Sequence, residues 1–146
     1  QLVFTPHQKE WEKLSGLDLA SQTEEKSREA VQSFPKGTVI VEKGPHTRIW
    51  TSGQEEGYQL DVGGPYQATG GMGDTLAGMI AGFAGQFPQV SLYERVVVAT
   101  YLHSAIAEDL SKEAYVVLPT TISQEIPKWM KKWSDKDQVI STENRK

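Results

Sequence analysis

The chain has no cysteine, so a disulfide framework and a thiolate metal site are both excluded. No apolar run approaches bilayer-spanning length, and no charged-then-apolar leader opens the sequence. Excess positive charge is missing as well. Fifteen Lys and Arg stand against 19 Asp and Glu, a net charge of −4, which argues against general binding to a phosphate backbone. Neither a basic stripe nor an RNP-like aromatic motif appears. Neither nucleic acid nor membrane is therefore expected as a partner, and a cysteine-free chain fits the cytoplasm. An initiator methionine is also lacking. The chain opens Gln1-Leu2-Val3-Phe4-Thr5-Pro6, directly in what reads as a strand, so sequence upstream is expected to be missing.

What is present suits one α/β domain, since 146 residues can bury a core without disulfides. Strands are predicted at Leu2–Thr5, Thr38–Lys43, Thr47–Thr51 and Tyr58–Val62, from β-branched and aromatic runs bounded by turn residues. The turn Gly44-Pro45-His46 joins the middle two as a hairpin, which makes the sheet mixed and disfavours a simple dinucleotide-binding βαβ unit. Helices are predicted over 8–15 and over 21–34, the second opened by a capping box, Ser21-Gln22-Thr23-Glu24. A third is expected over Asp74–Phe87, where the spacing of Gly78, Gly82 and Gly85 would let another backbone lie close. A second capping box, Ser91-Leu92-Tyr93-Glu94, opens a long helix to about Leu110. Residues 116–118 are expected to extend briefly and 121–133 to form a last helix despite Pro127. From Ser134 a polar, mobile tail is expected, so the domain is placed at 1–133 and the tail at 134–146.

The stretch Gly70-Gly71-Met72-Gly73-Asp74-Thr75 lies between a strand and a small-residue helix. Three glycines within four residues let backbone N–H groups approach an anion, and the helix directs its positive end at the same spot. Asp74 adds a carboxylate in the first helical turn. An anion hole beside a base suggests phosphoryl transfer. A tight loop before a closely packed helix is the less favoured alternative from the glycines alone, and Asp favours helix starts for local reasons. No Lys-Ser/Thr pair follows the glycines, so this is not a Walker A loop.

The longer stretch Ala68 to Gly78 closely resembles the signature of the ribokinase-like superfamily, in particular its NAD(P)H-hydrate dehydratase branch, a carbohydrate-kinase-like domain. Lys43-Gly44-Pro45-His46-Thr47 resembles that family's Lys-Gly-x-x-Thr nucleotide loop. Thr5-Pro6-His7 with Glu10 resembles its Thr-Pro-His-x-x-Glu segment, and Tyr101–Ala105 its helix after the active site. The resemblance covers roughly residues 2–110. It implies a three-layer αβα fold with a mixed sheet, here incomplete and lacking N-terminal strands.

The resemblance further implies that Lys43, Gly44, Pro45, His46, Thr47 and Gly73 contact an adenine nucleotide. Gly70, Gly71, Met72 and Gly73 would form the anion hole, and Asp74 and His7 would meet a hydrated nicotinamide dinucleotide. Lys43 can supply a mobile ammonium and Thr47 a hydroxyl for phosphate. By themselves, Lys43 reads as a solvated strand-end charge and His7 as a cap after Pro6. His46 occupies a variable-looking slot and is expected at a turn or an edge. His103 is expected to be packed and hydrogen-bonded, and Trp11, Trp50, Trp129 and Trp133 to serve packing or subunit contacts. No protein metal site is expected; Mg²⁺ would be held by nucleotide phosphates and water.

The activity so implied is ADP-dependent dehydration of hydrated NAD(P)H, with Asp74 as general base and AMP and phosphate as products. ATP could replace ADP. A small-molecule kinase of the same superfamily, acting on a vitamin-precursor or sugar alcohol, is the first alternative; a non-catalytic nucleotide-binding fragment is the second. A homo-oligomer is expected, with a tetramer as its form.

Overall fold

In the computed structural model, residues 1–65 and 69–143 are described. The run Val39–Glu42 forms β2 and pairs antiparallel with β3, Arg48–Thr51, placing Ile40 opposite Trp50 and Val41 opposite Ile49. β1, Val3–Phe4, lies parallel to β2 on one side, and β4, Tyr58–Gln59, lies antiparallel to β3 on the other. The order is β1-β2-β3-β4, a mixed sheet as expected. A parallel β1–β2 pair requires a long crossover. That crossover carries α1, Gln8–Ser15, and α2, Glu24–Val31.

Strand alternation then builds three layers. Ile40 and Trp50 point to one face and pack with Trp11 of α1, Val31 of α2 and the partly buried Phe34. Val39, Val41 and Ile49 point to the other face. They meet Leu76 and Ile80 of α3, Met72–Gly85, and Val96 and Ala99 of α4, Leu92–Ser111. α5, Pro119–Glu143, packs on α3 and α4 instead of the sheet, through Ile122, Ile126, Trp129 and Trp133. Trp11 and Trp50 are core residues, and Trp133 lies against Tyr101 with ring centroids 6.3 Å apart.

Several boundaries differ from the sequence expectation, each for a local reason. Asp18 caps a short 3₁₀ turn at Leu19–Ser21 by accepting from the Ser21 amide at 2.8 Å, so α2 starts later. Its cap is Thr23, whose hydroxyl accepts from the Lys26 amide at 3.3 Å, and the capping box foreseen at Ser21 does not form. At Ser91 the foreseen box is present. β4 stops at Gln59, and residues 116–118 join no strand. α3 starts two residues early and ends at Gly85, before Phe87 turns to φ 54°. Proline at the first position suits the start of α5, because its missing N–H is unneeded there. The helix passes Pro127 and continues beyond Ser134 to Glu143 in place of the expected mobile tail, whose residues 144–146 lie outside the described residues.

Apart from the adjoining residues and backbone of α3 itself, no described atom comes within 4 Å of a Cβ built on Gly78, Gly82 or Gly85. The backbone foreseen along that face is therefore absent among the described residues, because α3 buries its Leu76, Met79 and Ile80 side instead. The close approach occurs at Gly57, where a Cβ would lie 2.3 Å from the nearest indole carbon of Trp50. Gly57→Ala is expected to cost about 2 kcal/mol through overpacking of Trp50. Gly78→Ala, exposed and helical, is expected to add up to about 1 kcal/mol. Urea unfolding of the two variants checks the opposite signs.

Candidate active site

The loops leaving the carboxyl ends of β1 and β2 open on one side of the sheet, where ligands of open α/β sheets bind. They form a cleft of about 720 Å³ with residues 62–65, with Thr69, Gly71, Met72 and Gly73 at the start of α3, and with one facet of α4. Pro6 follows β1, and its carbonyl accepts from the Lys43 amide at 2.9 Å. That bond ties His7 to the loop 43–47. The α4 facet is Thr100, His103 and Ser104, all buried polar residues on an otherwise apolar stretch of helix.

The N-terminus of α3 has no side-chain cap. Its N-cap is Gly71, at φ 87°, and a Cβ there would also lie 3.3 Å from Pro119, so both torsion and space call for glycine. A Cβ on Gly73 would lie 3.4 Å from the Lys43 ammonium. The ammonium and the positive end of α3 thus converge, and among the described residues no carboxylate forms an ion pair with Lys43. Two positive sources so close favour an anion between them.

His103 shows the same field. Burial, with the Lys43 charge adding to it, lowers its pKa from 6.5 to about 4, so the imidazole is neutral near pH 7. His7 caps α1: its Nδ1 accepts from the Glu10 amide at 3.3 Å, and Glu10 Oε2 accepts from the His7 amide at 2.8 Å. That bond chiefly holds the Glu10 carboxyl below its usual range. The ring half-faces solvent and also borders the cleft, so capping and ligand contact are compatible roles.

Of the residues singled out in the sequence, His7, Lys43, Gly44, Pro45, Thr47, Gly71, Met72 and Gly73 border the cleft. Met72 turns its side chain into the core between α3, α4 and α5. His46 and Gly70 are exposed and do not border the cleft; neither does Asp74, exposed in the first turn of α3 one residue past Gly73. Ala68, the first residue of the glycine signature, lies outside the described residues. Sequence reasoning missed Gln8, Thr69 and the α4 facet as cleft residues. The spacing of Thr100, His103 and Ser104 on an apolar helix was the signal that could have found the facet. Among the described residues no three His, Cys, Asp or Glu gather as a metal site, and no helix is long and apolar enough to cross a membrane.

The carbohydrate-kinase family model described as NAD(P)H-hydrate dehydratase matches residues 1–128. The chain belongs to this dehydratase family. An ADP-dependent (S)-NAD(P)H-hydrate dehydratase of Streptococcus pneumoniae is 70% identical over 131 residues, which are 90% of this chain and 45% of that protein. A crystal structure of a ribokinase-like superfamily protein from Enterococcus faecalis superposes with a TM-score of 0.82 at 48% identity, over 90% of this chain and 44% of that one. An ADP/ATP-dependent NAD(P)H-hydrate dehydratase from Bacillus subtilis, co-crystallised with ATP/Mg²⁺, gives 0.76 at 30% identity, over 89% and 47%. The three-layer arrangement is thus the ribokinase-like one, and the chain spans about half the length of the dehydratases it matches.

Proposed function

We propose that this chain serves the ADP-dependent dehydration of hydrated NAD(P)H to NAD(P)H, a repair reaction of the carbon–oxygen lyase class. The observation that carries the reading is the Lys43 ammonium beside Gly73 at the uncapped start of α3, inside a cleft that His7 also borders. Residues 43–47 and Gly73 hold the adenine nucleotide, and the amides of Gly70–Gly73 receive the transferring phosphoryl group. His7 and Asp74 meet the hydrated dinucleotide. Mg²⁺ would be held through nucleotide phosphates and water, not by side chains of this chain, and would supply neutralisation of phosphate charge. The protein is taken to work in the cytoplasm as a homo-oligomer, with a tetramer as the expected form.

Hydroxide is a poor leaving group, so the ring hydroxyl must first be activated. Asp74 takes its proton as the oxygen attacks the terminal phosphorus of ADP; the bridging P–O bond breaks and AMP leaves. The C–O bond then breaks with departure of phosphate. A proton is lost from the adjacent ring carbon, and the double bond returns.

Incubation with Mg²⁺, ADP and hydrated NADH is expected to restore the absorbance of reduced nicotinamide, with one AMP and one phosphate per turnover. A stable phosphorylated alcohol would instead identify a kinase. Lys43→Ala is expected to raise the Kd for ADP about tenfold, the scale of one charge-assisted hydrogen bond, as titration calorimetry would read.

A further inference from the structure

Glu42 precedes the nucleotide loop and is buried, 4% exposed. Its Oε1 accepts from Arg48 Nη2 at 2.7 Å and Ser27 Oγ at 2.9 Å, and its Oε2 accepts from Trp50 Nε1 at 2.9 Å. Ser27 Oγ accepts in turn from Trp11 Nε1 at 3.1 Å, and Arg48 Nη2 also reaches the Gln22 carbonyl at 3.0 Å. One carboxylate therefore links β2 and β3 to α2, and through Ser27 to α1. Replacing such a buried pair with apolar residues of similar volume is often neutral or stabilising, so stability alone does not account for it.

Its position in the register does. Glu42 and Arg48 are the last paired residues of the β2–β3 hairpin, and Lys43 and Thr47 are the next residue on each strand. The ends of the loop are held by 2.9 Å backbone bonds, from the Lys43 amide to the Pro6 carbonyl and from the Leu60 amide to the Thr47 carbonyl. The ties within it are long: the Gly44 amide stands 3.5 Å from Thr47 Oγ1, which stands 3.3 Å from the Gly44 carbonyl. Strand alternation adds a second constraint. Glu42 faces α1 and α2 with Ile40, so Lys43 faces α3 with Val41, and a slip of one residue would exchange them.

We infer that Glu42 is a positioning residue for the loop 43–47: gripping Arg48 across the last rung of the hairpin, it fixes the register that holds the Lys43 ammonium at Gly73. The consequence for ligand rests on the nucleotide reading of the cleft; the consequence for the loop does not.

The test compares Glu42→Gln, which removes the charge and keeps the volume, with Ser27→Ala, which breaks the same network at its α2 end. Amide hydrogen exchange without ligand and calorimetric titration with ADP are measured on both. Glu42→Gln is expected to speed exchange over residues 43–48 and raise the ADP Kd by about tenfold each, the scale of a lost charge-assisted bond. Ser27→Ala is expected to change neither. Arg48→Lys, which keeps the charge but loses the guanidinium fork, replaces Glu42→Gln if the latter does not fold, with the same expectation. The inference is overturned if exchange over 43–48 rises no more than in the rest of β2, if Ser27→Ala matches Glu42→Gln, or if the loop loosens with ADP affinity unchanged. Selective loosening in a protein whose wild type binds no ADP would support the positioning role and refute the nucleotide reading.

Discussion

Asp74→Asn is expected to lower kcat for hydrated NADH by about 10²–10⁴-fold, the range for loss of a positioned general base. The ADP affinity should hardly move, because Lys43 and the α3 amides are untouched. Asparagine keeps the size and position of the side chain at the third residue of α3, so the helix should form as before. What it loses is the ability to take the hydroxyl proton as the oxygen attacks phosphorus. Asp74 is suited to that task because it stands exposed one residue beyond Gly73. Among the described residues it has no ion-pair partner. A substrate reaching out of the cleft past Gly73 would bring its hydroxyl to this carboxylate. Steady-state kinetics beside calorimetric ADP binding separate the two contributions. Wild-type turnover with intact ADP binding would remove Asp74 from the chemistry.

Acidification is expected to destabilise the protein first through His103, at higher pH than the main loss from the cap carboxylates. The ordinary imidazole pKa is 6.5, and burial beside Lys43 lowers it to about 4 in the folded chain. Between those values the unfolded chain takes up a proton that the folded chain refuses, so stability present above pH 6.5 is lost as pH falls toward 4. Each pH step of one between the two values removes about 1.4 kcal/mol, and the loss should reach roughly 2.5 kcal/mol by about pH 4.5. Glu10, Asp18 and Glu94 are held below their ordinary values by hydrogen bonds at their caps. Stability from these carboxylates is present above their ordinary range and is lost only at lower pH, as it falls through their folded values. Urea unfolding at pH 7 and pH 4.5 should therefore show a marked loss in wild type and a much smaller one in His103→Gln. Equal losses in both would assign the acid sensitivity elsewhere.

The extent of the site that could be read in advance follows the range of the interactions involved. Lys43–Thr47, Gly70–Thr75 and Thr5–His7 are short contiguous segments; Gly70–Thr75 suggested an anion site by residue type and spacing, and the other two did so through their resemblance to a family's motifs. The capping box at Ser91 and the alternation around Ile40 and Val41 were legible for the same reason, since caps and strand faces depend on neighbours in the chain. The box at Ser21 failed because an equally local competitor, Asp18, claimed the preceding turn. α5 outran its foreseen end at Ser134, and the glycine face of α3 met no other backbone among the described residues. Periodicity shows which face of a helix can be buried, not what arrives to bury it.

Sequence alone determined the α/β class and the mixed sheet, because these rest on patterns within a few residues, and resemblance to known motifs added the αβα layering and marked the three segments from which the cleft is assembled. Tertiary structure alone decided that Lys43 meets Gly73, that His103 is held neutral behind them, and that Glu42 locks the hairpin from the opposite face. The first two relations join residues far apart in the chain, and the third ties a local hairpin to helices on the opposite face; only packing of the helices on both faces of the sheet fixes their distances.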